Sequence, residues 1–238
     1  MLNLLHGWGL NARVFSGFAK ALERPTRLLD LPGHGHAPFA PGDLDPARLA
    51  SSLAEEPGPP CAWLGWSLGG LVAMMLAAHH PARVTKLILV GASPCFVSRP
   101  DWPYGTHADV LEAFSAQLAL DYEATLRRFL TLQAGVGERA QVRRLMADLK
   151  EGGEPDPLAL TEGLHVLRTH DIRALLSSIQ VATLFVHGSD DKIVPKEAAL
   201  WSAQQLKSAR FCVLGRGHAP FLSDETRTVE LIRDFLDE

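Results

Sequence analysis

Short apolar segments alternate with longer amphipathic segments along most of this 238-residue chain. The apolar segments are continuous rather than alternating, which is typical of strands covered on both faces in a parallel sheet. We predict strands at Leu2–Leu5, Thr26–Leu31, Cys61–Trp66, Val84–Gly91, Val181–His187 and Arg210–Leu214. Helices are expected between them, at Asn11–Glu23, Asp45–Glu56, Ser67–His80, Lys196–Leu206 and Thr226–Leu236. This order predicts an α/β fold with a mostly parallel, doubly covered sheet built from right-handed crossovers.

One long segment interrupts the alternation between the fourth and fifth predicted strands. Residues 97–178 carry helical periodicity and no convincing strand. Helices are expected there at Val110–Leu120, Tyr122–Gln133, Glu138–Lys150 and Pro157–Leu167. We therefore predict a core made of residues 1–96 and 179–238, with residues 97–178 inserted as a helical lid over the carboxyl edge of the sheet.

Composition argues against several classes of protein. The formal charge of −4 disfavours non-specific nucleic-acid binding, which needs a basic surface. No segment approaches the roughly 20 apolar residues of a membrane helix, and the loop 6–9 ends the apolar start too early for a signal peptide. The three cysteines lie far apart without a CxxC pair, so no metal or redox motif is expected. We expect a cytoplasmic monomer with reduced thiols.

The segment Gly65–Gly69 matches the pattern G-x-S-x-G, with Ser67 at its centre. An apolar strand precedes it and an apolar helix follows, which is the setting in which a nucleophilic serine sits on a tight strand-to-helix turn. The glycines allow close backbone approach in such a turn. The alternative is a plain glycine-rich turn whose serine caps the helix.

A nucleophilic serine needs a base, and His218 is the best placed of the ten histidines. It lies in the loop after the last predicted strand, so it returns to the sheet edge where Ser67 is expected. The base needs an acid that orients it, and Asp190 and Asp191 both follow the fifth strand. Either aspartate could serve, and either could instead cap the next helix.

A serine hydrolase also stabilises an oxyanion with backbone amides. The amide of Leu68 begins the helix after the nucleophile, where free N–H groups and the helix dipole favour negative charge. The second donor should come from the loop after the first strand, and the amide of Trp8 is our candidate. Trp8 could equally be a packing aromatic, and both roles are compatible.

Several stretches resemble one known family. They are Leu4–Asn11, Asp30–Gly33, Trp63–Ala73, Ser93–Phe96, Phe129–Gln133 and His218–Phe221. The chain resembles the BioH family of pimeloyl-[acyl-carrier protein] methyl ester esterases over nearly its whole length. The resemblance implies the α/β-hydrolase fold, a serine esterase mechanism without metal or organic cofactor, and an acyl carrier protein as partner.

The resemblance also implies roles for particular residues. It favours Asp191 over Asp190 as the acid, because the family's acid lies three residues before a Val-Pro pair like that at 194–195. It implies a substrate site formed by Trp8, Ser67, Leu68, Phe129, Leu130, Thr131, Leu132, Gln133 and His218. It further implies insertion arginines that meet the acidic carrier protein, for which our candidates are Arg127, Arg128, Arg143 and Arg144. A solvated helical face is the alternative for each arginine.

The same catalytic residues leave other activities open. A general short-chain carboxylesterase and a hydrolase of C–C bonds would share the Ser67, Asp191 and His218 set. A binding module that kept the fold without catalysis is a third alternative, against which the intact set argues.

Overall fold

A computed structural model describes residues 1–134 and 139–238 of the chain. Its strands are β1 (Leu2–Leu5), β2 (Thr26–Leu29), β3 (Cys61–Trp66), β4 (Val84–Val90), β5 (Thr183–His187) and β6 (Ala209–Val213). Its α-helices are α1 (Ser16–Ala21), α2 (Pro46–Glu55), α3 (Leu68–His79), α4 (Ala108–Leu120), α5 (Tyr122–Ala134), α6 (Arg139–Gly152), α7 (Pro157–Thr169), α8 (Lys196–Gln205), α9 (Pro220–Ser223) and α10 (Glu225–Asp237).

The strands form one parallel sheet in the order β2-β1-β3-β4-β5-β6. Every residue of β1, β3 and β5 is buried, whereas the edge strands β2 and β6 are partly exposed. Continuous burial therefore marks these three interior strands, as expected for a sheet with helices on both faces. The prediction of a mostly parallel sheet is confirmed.

Strand order reverses between β1 and β3. The chain leaves β1 for β2 on one side and then returns to β3 on the other side. Loops that follow two such strands diverge and leave a crevice at their carboxyl ends, where α/β proteins bind ligands. The loop 6–9 follows β1, and Ser67 follows β3, so both border this crevice.

Helix α3 is the central helix of the fold. Each of its residues from Leu68 to Ala77 is buried, which explains why its sequence is apolar on all sides. Its close approach to the sheet requires glycine, since a Cβ on Gly69 would lie 2.4 Å from the carbonyl oxygen of Leu5. A Cβ on Gly65 would lie 2.4 Å from the carbonyl oxygen of Gly69. The glycines at both ends of the motif thus set the start of the helix against β1.

Helices α4 to α7 lie between β4 and β5, where the sequence predicted a helical insertion. Predicted and observed helices agree closely, although Glu138 of the expected helix 138–150 lies outside the described residues. Apolar side chains of the insertion, such as Leu130, Leu145 and Leu160, join the same buried cluster as the sheet. The division of the chain into residues 1–96 with 179–238 and residues 97–178 stays a prediction.

Hydrogen bonds join the last two helices of the insertion to the loops of the sheet. The side chain of Asn11 donates to the carbonyl oxygens of Leu149 at 3.3 Å and Gly153 at 3.1 Å, next to the end of α6. The carboxylate of Glu162 on α7 accepts from the amides of Gly42 and Leu44, both at 2.8 Å. These contacts fix α6 and α7 relative to the sheet.

No helix of the described residues is long and apolar enough to cross a membrane. The three cysteines are free thiols, of which Cys61 and Cys95 are buried and Cys212 is partly exposed.

Candidate active site

Ser67 sits on a strained turn between β3 and α3. Its backbone has φ 55° and ψ −116°, a left-handed conformation that non-glycine residues adopt rarely. Such strain is concentrated at functional sites. The Ser67 amide donates to the carbonyl oxygen of Val90 at 3.0 Å, which holds the turn beside the end of β4. The predicted strand–turn–helix context of G-x-S-x-G is present in the structure.

His218 lies in the loop before α9, and backbone contacts hold it near the same strand ends. Its carbonyl oxygen accepts from the Trp66 indole at 2.8 Å, and its amide donates to the carbonyl oxygen of Gln133 at 2.8 Å. A Cβ on Gly91, the residue after β4, would lie 3.0 Å from its imidazole. Trp66, the residue before Ser67, therefore bonds His218, and the imidazole occupies the space where a side chain at position 91 would lie.

The two imidazole nitrogens of His218 have different environments. Nδ1 donates to Asp191 Oδ2 at 2.7 Å. Nε2 is buried and has no hydrogen-bond partner among residues 1–134 and 139–238. Since Nδ1 carries the proton, Nε2 is the nitrogen with a free lone pair. This arrangement leaves Nε2 available as a base.

Asp191 is held by four groups. Its Oδ1 accepts from the amides of Ile193 at 2.8 Å and Val194 at 3.0 Å, and its Oδ2 contacts His218 and lies 3.2 Å from His187 Nε2. Burial alone would raise the pKa of this carboxyl group, but charge on His218 and hydrogen bonds from both histidines together hold it well below its usual range. Asp191 therefore stays ionised beside the base.

Asp190 faces a different part of the loop. Its Oδ1 accepts from the amide of Gly217 at 2.9 Å, and its Oδ2 pairs with the Arg216 guanidinium at 3.1 Å. The Gly217 hydrogen bond is the main cause that lowers the pKa of Asp190. Asp190 thus orders the chain just before His218, while Asp191 contacts the imidazole.

Trp8 joins the loop after β1 to the insertion. Its ring is 1% exposed and packs edge-on against Phe129 of α5 at 4.9 Å and Phe114 of α4 at 5.5 Å. Its indole N–H donates to the carbonyl oxygen of Leu160 on α7 at 2.8 Å. The packing interpretation of its side chain therefore holds. The oxyanion role of the amides of Trp8 and Leu68 stays a proposal.

Two buried histidines support the loop that carries Trp8. His6 accepts the amide of Leu31 at Nε2 (2.9 Å) and contacts the carbonyl oxygen of Gly7 through Nδ1 at 2.8 Å. His34 accepts the amide of Gly9 at Nε2 over 3.3 Å. Burial, with a smaller effect of the neighbouring His34, lowers the pKa of His6 to about 3, and burial also lowers the pKa of His34. Both imidazoles are therefore neutral acceptors that fix the loop.

A cavity of about 100 Å³ opens beside Ser67. Its walls are mostly apolar side chains of α4, α5 and α7, and Phe96, Thr106, Lys192 and Ile193 also line it. Of the predicted substrate residues, Ser67, Phe129 and Leu132 line this cavity. Such a pocket suits an acyl chain, because burying methylene groups is favourable.

The other residues of the predicted 129–133 stretch lie elsewhere. Leu130 is fully buried in the core, and Thr131 is exposed with its hydroxyl bonded to the Arg127 carbonyl oxygen. Gln133 is 1% exposed, its carbonyl oxygen accepts from the His218 amide, and its side-chain oxygen has no partner in the described residues. The stretch 129–133 thus contributes residues to the cavity wall, to the core and to the backbone contact with His218.

The four candidate arginines divide into two groups. Arg127, Arg128 and Arg143 are exposed and form no ion pair within residues 1–134 and 139–238. Arg144 is half-buried, and its guanidinium lies 3.5 Å from Glu225 and 4.0 Å from Asp148. Arg144 therefore already has acidic partners inside the protein.

Residues 4–231 match the family model described as the Alpha/beta hydrolase family. This chain belongs to the alpha/beta hydrolase family. The fold predicted from the sequence is confirmed. Among the described residues of this alpha/beta hydrolase, no group of three or more His, Cys, Asp or Glu side chains is arranged to hold a metal ion.

Curated relatives narrow the family further. This alpha/beta hydrolase is 42% identical over 228 residues to the pimeloyl-[acyl-carrier protein] methyl ester esterase of Nitrosomonas europaea, covering 93% of the chain and 90% of that protein. It is 41% identical to the protein of the same name from Serratia marcescens, covering 99% of the chain and 93% of the relative. The resemblance predicted from the sequence is confirmed.

Solved structures agree with the fold. An esterase from Exiguobacterium antarcticum superposes with a TM-score of 0.91 at 26% identity, covering 100% of this alpha/beta hydrolase and 91% of that chain. A hydrolase from Oleispira antarctica, at 18% identity and a TM-score of 0.89, covers 100% of the chain and 90% of its own length. At that identity the second likeness concerns the fold alone.

Sequence reasoning missed several residues around the site. The sequence pattern assigns no site role to His6, His34, His187 or Lys192. The three histidines are buried, and each bonds a loop of the candidate site. The available signal was their position: His6 directly follows β1, His34 follows a Pro-Gly turn, and His187 is the last residue of β5.

Proposed function

We propose that this protein is a carboxylesterase that hydrolyses the methyl ester of a pimeloyl chain carried on acyl carrier protein, a step of biotin synthesis. The observation that carries the proposal is the identity of about 40% over nearly full length with several esterases named for that substrate. The hydrogen bond between His218 and Asp191 and the strained turn that carries Ser67 support it chemically.

The proposed reaction proceeds through an acyl-enzyme. His218 Nε2 takes the proton of Ser67 as the hydroxyl oxygen attacks the ester carbonyl, and the amides of Leu68 and Trp8 stabilise the oxyanion. The C–O bond to the methoxy group breaks, and His218 gives the proton to the departing methanol. Water, deprotonated by His218, then attacks the acyl-enzyme, and the proton returns to Ser67 as the free acid leaves.

Asp191 has a fixed part in this scheme. Its ionised carboxylate holds the proton of His218 on Nδ1, which keeps Nε2 free to accept a proton in each half-reaction. It also stabilises the imidazolium that forms each time. Neither a metal nor an organic cofactor takes part in these steps.

The carrier protein is proposed to dock beside α4 and α5. An open groove between these helices is lined by Val110, Phe114 and Leu132, which also line the cavity at Ser67. Arg128 lies along the same groove. An acyl chain could therefore pass from the surface to the serine while Arg127, Arg128 and Arg143 attract acidic groups of the carrier. Arg144 contributes less to this surface, because Glu225 and Asp148 already pair with it.

The insertion is proposed to act as a lid over the cavity. The protein is proposed to act in the cytoplasm, where its three free thiols would stay reduced.

A general short-chain carboxylesterase is the second candidate function. The superposition with the Exiguobacterium esterase favours it.

Purified protein and its Ser67→Ala variant test the proposal. The wild type should release methanol from pimeloyl-carrier protein methyl ester, hydrolyse a short p-nitrophenyl ester and react with a fluorophosphonate probe. The Ser67→Ala variant should do none of these. Turnover of p-nitrophenyl esters without turnover of the carrier-linked ester would leave only the general esterase. Full activity of the variant would remove Ser67 from the mechanism.

A further inference from the structure

His187 is a buried polar residue that the scheme above does not use. It is the last residue of β5, and its side chain is 1% exposed. Its Nε2 lies 2.8 Å from the carbonyl oxygen of Val194 and 3.2 Å from Asp191 Oδ2. One nitrogen therefore contacts both ends of the short segment 191–194.

These contacts fix the tautomer of His187. A carbonyl oxygen only accepts hydrogen bonds, so Nε2 must carry the proton. The same N–H is then shared between Val194 and the carboxylate of Asp191. Nδ1 is left without the proton in the neutral ring, and it has no partner within the described residues.

The oxygen that His187 approaches is the one that the proposed base uses. Asp191 Oδ2 accepts the proton of His218 Nδ1 at 2.7 Å, while Oδ1 is occupied by the amides of Ile193 and Val194. The two amides hold one oxygen from its own loop. His187 reaches the other oxygen from the end of β5, which is paired with β4 on one side and β6 on the other.

We propose that His187 is a positioning residue, which holds the Asp191 carboxylate in the orientation that the His218 imidazole requires. This inference rests on the proposed esterase activity. Without the N–H of His187, the segment 191–194 loses its tie to β5. The carboxylate then rotates more freely about its side-chain bonds, and fewer molecules present Oδ2 to His218 at any moment.

A histidine that only stabilises the fold would be equally buried, but its substitution would have a different effect on the kinetics. A core imidazole that only stabilises the fold would affect the amount of folded enzyme. A positioning residue affects kcat of the folded enzyme and leaves KM for a small ester nearly unchanged. The difference lets the two roles be separated.

The test compares two substitutions. His187→Gln places an amide N–H near the position of Nε2, whereas His187→Leu keeps an apolar side chain of similar reach and removes the donor. For a p-nitrophenyl ester, we expect His187→Leu to lower kcat about tenfold with KM within twofold, the order expected for one hydrogen bond to a charged group. The His187→Gln enzyme should keep kcat within about threefold of the wild type.

A second arm asks whether His187 acts through Asp191. In an Asp191→Ala background, measured by single turnover, adding His187→Leu should change the rate less than twofold, because the group being positioned is gone. Thr183→Val is the matched control, since it removes a buried hydroxyl at the other end of β5. It should leave kcat unchanged.

Three results would overturn the positioning role. They are a His187→Leu enzyme with wild-type kcat, a His187→Gln enzyme as slow as His187→Leu, and a tenfold loss that persists in the Asp191→Ala background. Undiminished activity of Asp191→Ala alone would instead contradict the proposed mechanism, so the two failures are distinguishable. Thermal unfolding of each variant checks that folded enzyme is compared.

Discussion

At the scale of single residues, the neighbouring Asp190 and Asp191 show how the orientation of a side chain decides which group it contacts. They follow the same strand and share one loop, yet one carboxylate bonds the Gly217 amide and the other the His218 imidazole. Spacing along the sequence left both open, because it does not specify which way a side chain points. Ser67 and His218, by contrast, were predictable from a motif with its strand and helix, and from a loop position.

Asp191→Asn should lower kcat on a p-nitrophenyl ester by about 10⁴, because an amide nitrogen beside Nδ1 would favour the wrong tautomer of His218. Steady-state kinetics measure this loss. Asp190→Asn is the matched control, since its side-chain oxygen would still accept the Gly217 amide. It should cost less than about tenfold in kcat. If Asp190→Asn were the more damaging change, the assignment of the acid would be reversed.

At the scale of elements, the loop after β1 depends on two neutral histidines. His6 and His34 each accept a backbone amide, from Leu31 and Gly9 respectively. The carboxylates nearest to them are those of Asp30, whose Oδ1 lies 3.8 Å from His6 Nε2, and Asp156. Burial outweighs these carboxylates and lowers the pKa of both imidazoles. Protonation of either ring would remove an acceptor that holds the loop.

The free energy of unfolding should therefore fall as the pH falls below about 6.5, the pKa of histidine in an unfolded chain. Below that pH the histidines of the unfolded chain bind protons, while those of the folded protein stay neutral. The difference persists until the pH approaches the pKa of His6, which is about 3. For His6 the slope should approach roughly 1.4 kcal/mol per pH unit, and the lowered pKa of His34 should make it steeper. Urea unfolding at pH 7, 6 and 5 measures it.

His34→Gln provides the control for this slope. Its side-chain oxygen can still accept the Gly9 amide, but it does not titrate. The variant should show a shallower dependence of unfolding free energy on pH than the wild type. His36→Gln, at an exposed position two residues away, should leave the slope as it is. Equal slopes for the wild type and His34→Gln would contradict the role of burial at His34.

Helix α5 contributes both to the cavity and to the exposed arginines. Phe129 and Leu132 line the cavity, while Arg127 and Arg128 are exposed. The helical periodicity predicted this element within one residue, from Tyr122–Gln133 to Tyr122–Ala134. Which of its residues reach the cavity depended on packing against α4 and α6, and the sequence did not specify that packing.

The double variant Arg127→Glu/Arg128→Glu should raise KM for the carrier-linked ester roughly tenfold, because it replaces attraction to an acidic partner by repulsion. Its kcat/KM for a p-nitrophenyl ester should stay within about twofold, since neither side chain lines the cavity at Ser67. Arg168→Glu, an exposed arginine on α7, is the control for added negative charge. Equal effects of the two changes on the carrier-linked ester would contradict a local docking surface.

At the scale of the whole molecule, the pattern of apolar residues predicts the fold, whereas the net charge bears on which partners are attracted. The α/β architecture followed from apolar periodicity, while the strand ends differed by a residue or two where backbone geometry intervenes. The predicted strand Val84–Gly91 ends at Val90, because Gly91 has a φ of 52° that leaves the extended region.

The net charge of −4 is unfavourable for an acidic partner, so attraction must come from a local basic surface.

Salt should therefore affect the two substrates differently. Raising sodium chloride from about 0.05 M to about 0.5 M shortens the range of charge interactions to a few ångströms and should lower kcat/KM for the carrier-linked ester several-fold. The value for a neutral p-nitrophenyl ester should barely change. Parallel kinetics at each salt concentration check this. Equal salt sensitivity of both substrates would argue against electrostatic recognition of the carrier.

The left-handed turn at Ser67 also limits which nucleophiles this scaffold admits. A cysteine adds no branch at Cβ and would keep the same backbone, giving a thiol in the place of the hydroxyl. Threonine is β-branched, and such residues are genuine outliers at a φ of 55°. A methyl group there would also crowd Gly7, where even a Cβ would lie 3.1 Å from that of Ser67. The backbone at position 67 therefore accepts a change from serine to cysteine, in evolution or by engineering, but it does not accept threonine.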